Sequence, residues 1–147
     1  MNTEEKIAAL NELLEAERAG VEVGAFLKQQ LPKGYFRNHL VKIEADEAVS
    51  CAVLERGIRA LGGQASKGQN DFAQKVAALP TLIERLDLLA RGQAWVVKRV
   101  DKLLAEDLPD EVRSELLEMR REHAVNIDWC NEQVAELRKE AEEASPA

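Results

Sequence analysis

The sequence predicts an all-α protein, a bundle of four long helices with a long crossover between the second and third. Three observations carry this. Apolar residues recur at helical spacing in four extended runs, the turn-forming residues are scarce at 8 Gly and 4 Pro, and 147 residues are enough for one core but not comfortably for two. The expected organisation is therefore one domain over residues 1–147, with a charged tail from about Glu140.

The first run places Ile7, Leu10, Leu14, Val21 and Leu27 on one face. Asn2 with Glu5 three residues later forms a capping-box pattern at its start, and Pro32 and Gly34 end it. A second run from about Tyr35 carries Leu40, Ile43, Cys51, Leu54, Ile58 and Leu61 and closes at Gly62-Gly63. The third, from about Pro80 to Ala105, repeats Leu82, Leu86, Leu89, Val96, Val100 and Leu103. Asp107, Pro109 and Asp110 then break the chain and open a fourth run with Val112, Leu116, Met119, Ile127, Cys130, Val134 and Leu137. The first-to-second and third-to-fourth links are short, so each pair is an expected antiparallel hairpin. The link from Gly62 to Leu79 is different: it is long enough to travel the length of a bundle, with one or two helical turns expected around Asp71 to Ala78.

Composition narrows the function classes. Lys+Arg 20 against Asp+Glu 27 leaves a formal net charge of -7, which disfavours nonspecific attraction to nucleic acid or anionic lipid. No apolar run reaches the length of a membrane span, and the first residues lack a basic stretch followed by an apolar one, so a cytoplasmic protein is expected. Cys51 and Cys130 have neither zinc-site spacing nor disulfide density and read as buried free thiols of a reducing compartment. There is no Ser-His-Asp order and no phosphate-binding glycine loop, so hydrolase and nucleotide-binding assignments have no support.

The chemistry lies where the stripes turn polar. Extending each apolar face through mid-helix meets Glu17 in the first, Glu47 in the second, Gln93 with Arg91 near its edge in the third, and His123 with Asn126 in the fourth. In a bundle these meet at one level. Desolvated carboxylates cost several kcal/mol each unless balanced. Two balances are open: one divalent metal (iron, manganese or zinc) held by Glu17, Glu47 and His123, or a closed network in which Arg91 or protonated His123 pairs with the glutamates. Arg91, Gln93, Asn126 and Ser50 are expected around the three. Trp95 and Trp129 read as packing surface, with a redox-active aromatic as the alternative, and His39 as exposed. Arg120-Arg121-Glu122 and the acidic tail read as solvated helix.

Two segments resemble a known superfamily. Glu47-Ala48-Val49-Ser50, followed by Glu55 to Gly63, is similar to the second helix of bacterioferritin-type proteins, which carries a Glu-x-x-His pair, and Asn126-Ile127-Asp128-Trp129 resembles the His-Ile-Asp-Trp segment of their last helix. Arg91-Gly92-Gln93-Ala94-Trp95-Val96 and the run His123 to Ile127 are similar to an uncharacterised ferritin-like domain family. The resemblance implies a ferritin-like fold of the bacterioferritin and rubrerythrin kind. It also implies association as a homodimer through the first two helices, for which Val23, Phe26 and Phe36 are candidate seam residues. The departures imply a degenerate site. Ser50 stands for the first family histidine, His123 for a glutamate, Asn126 for the second histidine, and the third helix has no mid-level Glu. Ala48 occupies the place of the haem-ligating Met, so no haem is expected. Two functions follow: a divergent metal-dependent redox or metal-binding protein, or a metal-free structural bundle.

Overall fold

A computed structural model describes residues 1–144, except for the side chain of Tyr35. Five helices make up the described chain: α1 (Thr3–Gln29), α2 (Tyr35–Ala60), α3 (Phe72–Ala78), α4 (Leu82–Leu104) and α5 (Asp110–Ala144). The four long ones form the bundle, and α3 is the short helix expected within the crossover. None of the described helices is long and apolar enough to cross a membrane.

Local chemistry sets the ends. Asn2 caps α1 with the reciprocal pair read from the sequence, its Oδ1 accepting from the Glu5 amide at 2.8 Å while its own amide donates to Glu5 Oε1 at 3.0 Å. α2 ends in a Schellman turn, with the Gly63 amide on the Ile58 carbonyl and the Gly62 amide on that of Arg59, both at 2.9 Å. Gly62 supplies the φ of +81° this turn requires. Gly63 lets the turn close on α1, since a Cβ there would fall 2.7 Å from Ile7. Thr81 caps α4 through the Glu84 amide at 3.2 Å, so that helix opens just after Pro80. The expected acidic tail is helical through its first residues, because α5 continues to Ala144; the tail's last three residues lie outside the described part.

Cross-helix contacts establish the topology. Glu12 pairs with Arg99 at 3.1 Å and Gln30 accepts from Arg85 at 2.7 Å, so α4 runs antiparallel to α1, while Arg56–Glu115 at 2.9 Å sets α5 antiparallel to α2. The helix after the crossover thus begins at the end where α2 began. The intervening segment is tied along α1: Arg18 donates to the carbonyls of Ser66 at 2.6 Å and Gly68 at 2.9 Å, and Asn11 holds both Gln64 and Ser66. These bonds satisfy loop backbone that would otherwise compete for water. They also set α3 against α1 and α4.

The core divides into two. One apolar cluster includes Leu10, Leu14, Leu54, Ile58, Val100 and Leu116, and the other Val23, Leu27, Leu40, Ile43, Leu86 and Trp129. Between them lies a layer of buried polar side chains: Glu17, Glu47, Ser50, Gln93, His123 and Asn126. Helical phase drift corrects some stripe positions. Val21, Ile127 and Cys51 are only half-buried, whereas Val23 and Trp129 are in the core. Among the candidate seam residues Val23 belongs to the core, while Phe26 and Phe36 are half-buried against their own chain. Val23 is 1% exposed, Phe26 lies under the Arg85 guanidinium, and Phe36 packs on Trp129 with centroids 5.0 Å apart.

Candidate metal centre

Glu17 of α1, Glu47 of α2 and His123 of α5 project into the waist of the bundle, each no more than 3% exposed. One ligand atom from each lies within 4.8 Å of the others. His123 Nε2 is 2.7 Å from Glu17 Oε1 and 3.7 Å from Glu47 Oε2. Gln93 of α4 completes the layer, its amide nitrogen donating to Glu47 Oε1.

The position of one proton can be deduced. His123 Nδ1 lies 2.8 Å from the carbonyl of Met119, one turn back on the same helix. A carbonyl only accepts, so Nδ1 carries hydrogen and Nε2 is the nitrogen turned to the carboxylates. Two bare acceptors do not rest at 2.7 Å. Nε2 and Glu17 Oε1 therefore share a further proton, or a cation stands in its place. Burial on its own would lower the basicity of His123, but the charge of Glu47 and the Met119 carbonyl outweigh it and hold the imidazole above its usual 6.5.

The layer is left with unmet valence. Among the described residues, Glu17 Oε2 and Gln93 Oε1 are buried without any hydrogen-bond partner. Such atoms are few in native proteins and call for a reason. Gly20, one turn after Glu17, adds another sign of a built site. A Cβ there would sit 2.8 Å from Glu47 Cδ and 3.0 Å from Glu47 Oε2, so any larger residue would force that carboxylate to move. Two carboxylates and an imidazole whose free nitrogen is preset by a backbone acceptor form a donor set suited to one divalent transition metal. Neither cysteine adds a thiolate at neutral pH: burial and the charge of Glu47 push Cys130 up to about 12 and Cys51 up to about 11.

The surrounding residues divide. Gln93 contacts the triad as expected. Arg91 does not: its side chain is 69% exposed and pairs with Asp87 at 3.4 Å, because its position on α4 points to the rim rather than inward. Of the two groups that could balance the glutamates in a closed network, His123 is thus the one in place. Asn126 is buried but turns toward the α2–α5 seam, donating to Asp46 at 3.3 Å and accepting from Lys42 at 3.4 Å. Ser50 lines a shallow groove with Val49, Val53 and Met119. His39 is not exposed as expected. It stacks on Trp129 with centroids 4.1 Å apart and a 12° interplanar angle, and its Nε2 is enclosed. Trp95 is half-buried beneath the Arg99 guanidinium. Gly20 escaped the sequence reading, although a mid-helix glycine, at a cost of about 1 kcal/mol, is itself a signal of close approach.

Over residues 4–132 the chain matches the family described as Domain of unknown function (DUF6306). The chain belongs to that family. The match spans the segments Arg91 to Val96 and His123 to Ile127, and the buried waist residues Gln93, His123 and Asn126 of this DUF6306 domain lie in them. No curated protein matches it. Among solved structures it is similar to the crystal structure of ferritin like, diiron-carboxylate proteins from Bacillus anthracis str. Ames. The TM-score is 0.75 at 16% identity, covering 90% of this chain and 96% of that one. At such identity the likeness shows the fold, and the DUF6306 domain is accordingly a ferritin-like helical bundle.

Proposed function

We propose that this protein binds one divalent transition-metal ion through Glu17, Glu47 and His123 and uses it in redox chemistry toward a small molecule. The observation that carries the reading is the convergence of acceptor atoms at the waist. The Met119 carbonyl fixes hydrogen on Nδ1, and Nε2 then faces a carboxylate oxygen at 2.7 Å with another carboxylate oxygen 3.7 Å away. A metal cation held by Glu17, Glu47 and His123 would answer all three, and Glu17 Oε2 has no partner among the described residues. Iron, manganese and zinc all accept this donor set, and of these iron or manganese would supply the redox chemistry, since zinc has none. The diiron-carboxylate character named for the Bacillus anthracis structure is consistent with a carboxylate-rich metal site in the same fold.

Each residue has a role of its own. Glu17 and Glu47 neutralise the ion with charge they hold in the metal-free protein only at a desolvation cost. His123 gives up the proton shared with Glu17, so loading releases protons and strengthens with pH. Gln93 holds Glu47 by its amide hydrogen, and Gly20 leaves the room this position needs. Three protein donors leave coordination positions open, which is what permits a bound transition metal to exchange electrons with a ligand.

Metal analysis of protein prepared without chelator, then supplied with iron, manganese or zinc, tests the reading. About one equivalent per chain is expected, as three protein donors support a single ion. Less than about a tenth of an equivalent after every supply would remove it, since a site with this donor set binds far more tightly than that.

A second reading is favoured by a separate observation. The Glu17–His123 pair and the Gln93–Glu47 hydrogen bond already close much of the layer without an ion. In that reading the polar waist fixes helix register in a structural protein of the cytoplasm, which assembles as a homodimer. A metal-free protein that sediments as a dimer at micromolar concentration supports it.

A further inference from the structure

The waist is not sealed. A cavity of about 320 Å³ reaches it from the side of the crossover, between α1 and α4, with α3 over it. Its floor is Glu17, Glu47 and Gln93, and its walls are apolar, chiefly Leu89, Trp95 and Val96. Phe72 of α3 covers one side and can lie there only because Gly92 faces it: a Cβ on Gly92 would fall 2.5 Å from the ring. The crossover helix is thus fitted to this opening. The charged residues at the mouth are paired, Lys75 with Asp71 at 3.5 Å and Arg91 with Asp87 at 3.4 Å.

Gln93 decides what the cavity accepts. The side chain is 3% exposed, and its amide nitrogen must face Glu47 because the opposite flip would set oxygen against carboxylate oxygen. Oε1 is therefore directed away from Glu47 and is enclosed with no partner among the described residues, in a residue that lines the cavity, so a ligand engages it by a small turn of the Gln93 side chain toward the cavity. A buried acceptor with no donor is a standing cost that a ligand hydroxyl or amine removes. The neighbouring carboxylates repel an anion.

We propose that this cavity is a binding site for a small neutral molecule with an apolar body and a single hydrogen-bond donor, an alcohol or phenol in chemical class, whose donor engages Gln93 Oε1. The site goes beyond the metal reading and is tested on metal-free protein, so either can fail without the other.

The test compares three probes of one shape by nuclear magnetic resonance: cyclohexanol, its methyl ether, which accepts but cannot donate, and cyclohexanecarboxylate. Cyclohexanol is expected to bind saturably, shifting the Gly92 amide and the Trp95 indole, while the Trp129 indole stays in place. The methyl ether is expected to bind about tenfold more weakly despite its larger apolar surface, the factor one net hydrogen bond supplies. The carboxylate is expected not to bind. Ala16→Phe, which fills the cavity from α1, is expected to abolish the shifts in a protein whose circular dichroism is unchanged. If that variant does not fold, the residues shifted in the unaltered protein decide. Equal affinity for alcohol and ether, preference for the carboxylate, shifts centred on Trp129, or no saturable binding would each overturn the proposal.

Discussion

Gly20→Ala sets a favourable local effect against an unfavourable tertiary one. Replacing a helix-interior glycine by alanine ordinarily stabilises by about 1 kcal/mol, because the unfolded chain loses freedom. Here the new methyl would lie 2.8 Å from Glu47 Cδ and 3.1 Å from its Oε1. Ordinary carbon contacts begin near 3.5 Å, so the carboxylate must retreat by about 0.7 Å. A carboxylate on a flexible side chain would do so cheaply, but this one accepts from Gln93 and faces His123 inside a close-packed layer. Losing a charged, buried hydrogen bond costs roughly 1.5–3 kcal/mol, more than the helix gains. The expected result is a metal-free protein destabilised by about 0.5–2 kcal/mol in urea unfolding, by the difference of those terms. A displaced ligand should also weaken metal binding by roughly 10–100-fold. A variant about 1 kcal/mol more stable, with metal uptake intact, would mean that Glu47 is not held where the geometry places it.

Other outcomes follow from the same contacts. Glu17→Gln keeps the shape and removes a buried charge, so metal-free stability should change by less than about 1 kcal/mol while metal affinity falls by roughly 10–100-fold; unchanged uptake in a titration would exclude Glu17 as a ligand. His123→Ala leaves two buried carboxylates without their cation and should cost roughly 3–5 kcal/mol, a loss below 1 kcal/mol counting against the pairing. The histidines give opposite pH slopes in the metal-free protein. His123, raised above 6.5 in the fold, lends stability that is complete below 6.5 and lost as pH rises. His39, lowered chiefly by burial and then by Lys42, lends stability present above 6.5 and lost as pH falls. Unfolding free energy should therefore be greatest near 6.5 and decline toward 8.5, and a steady rise over that interval would contradict the state assigned to His123. Leu14→Ala, at a fully buried position in one apolar cluster, should cost roughly 2–5 kcal/mol by calorimetry, whatever metal is present.

Most of the fold was legible because it rests on local rules that a single helix obeys alone. The Asn2–Glu5 capping box, the Gly62-Gly63 stop and the 3.6-residue stripes each act within a few residues, and the length of the 62–79 link left only a crossover open to it. The three polar interruptions Glu17, Glu47 and His123 were visible for the same reason: a charge in an apolar stripe stands out whatever lies across from it. Residues at stripe edges were not so constrained. Arg91 and Asn126 each lie within one helical position of facing elsewhere, and their partners Asp87 and Asp46 captured them. Val23 and His39 went the other way, inward, because a helix phase read over twenty residues drifts by a fraction of a turn.

What the amino-acid order determined by itself was the set of rods, their order and which side chains must find a partner in the interior, since helix propensity, capping and burial cost depend on neighbours a few positions away. Only the assembled bundle decided who those partners are. The lock of His123 Nδ1 on Met119, the clearance at Gly20, the unmatched oxygen of Gln93 and the opening beneath Phe72 depend on distances between helices that are far apart in the chain. Tenths of an ångström in those distances separate a hydrogen bond from a clash, and no periodicity in the sequence carries that precision.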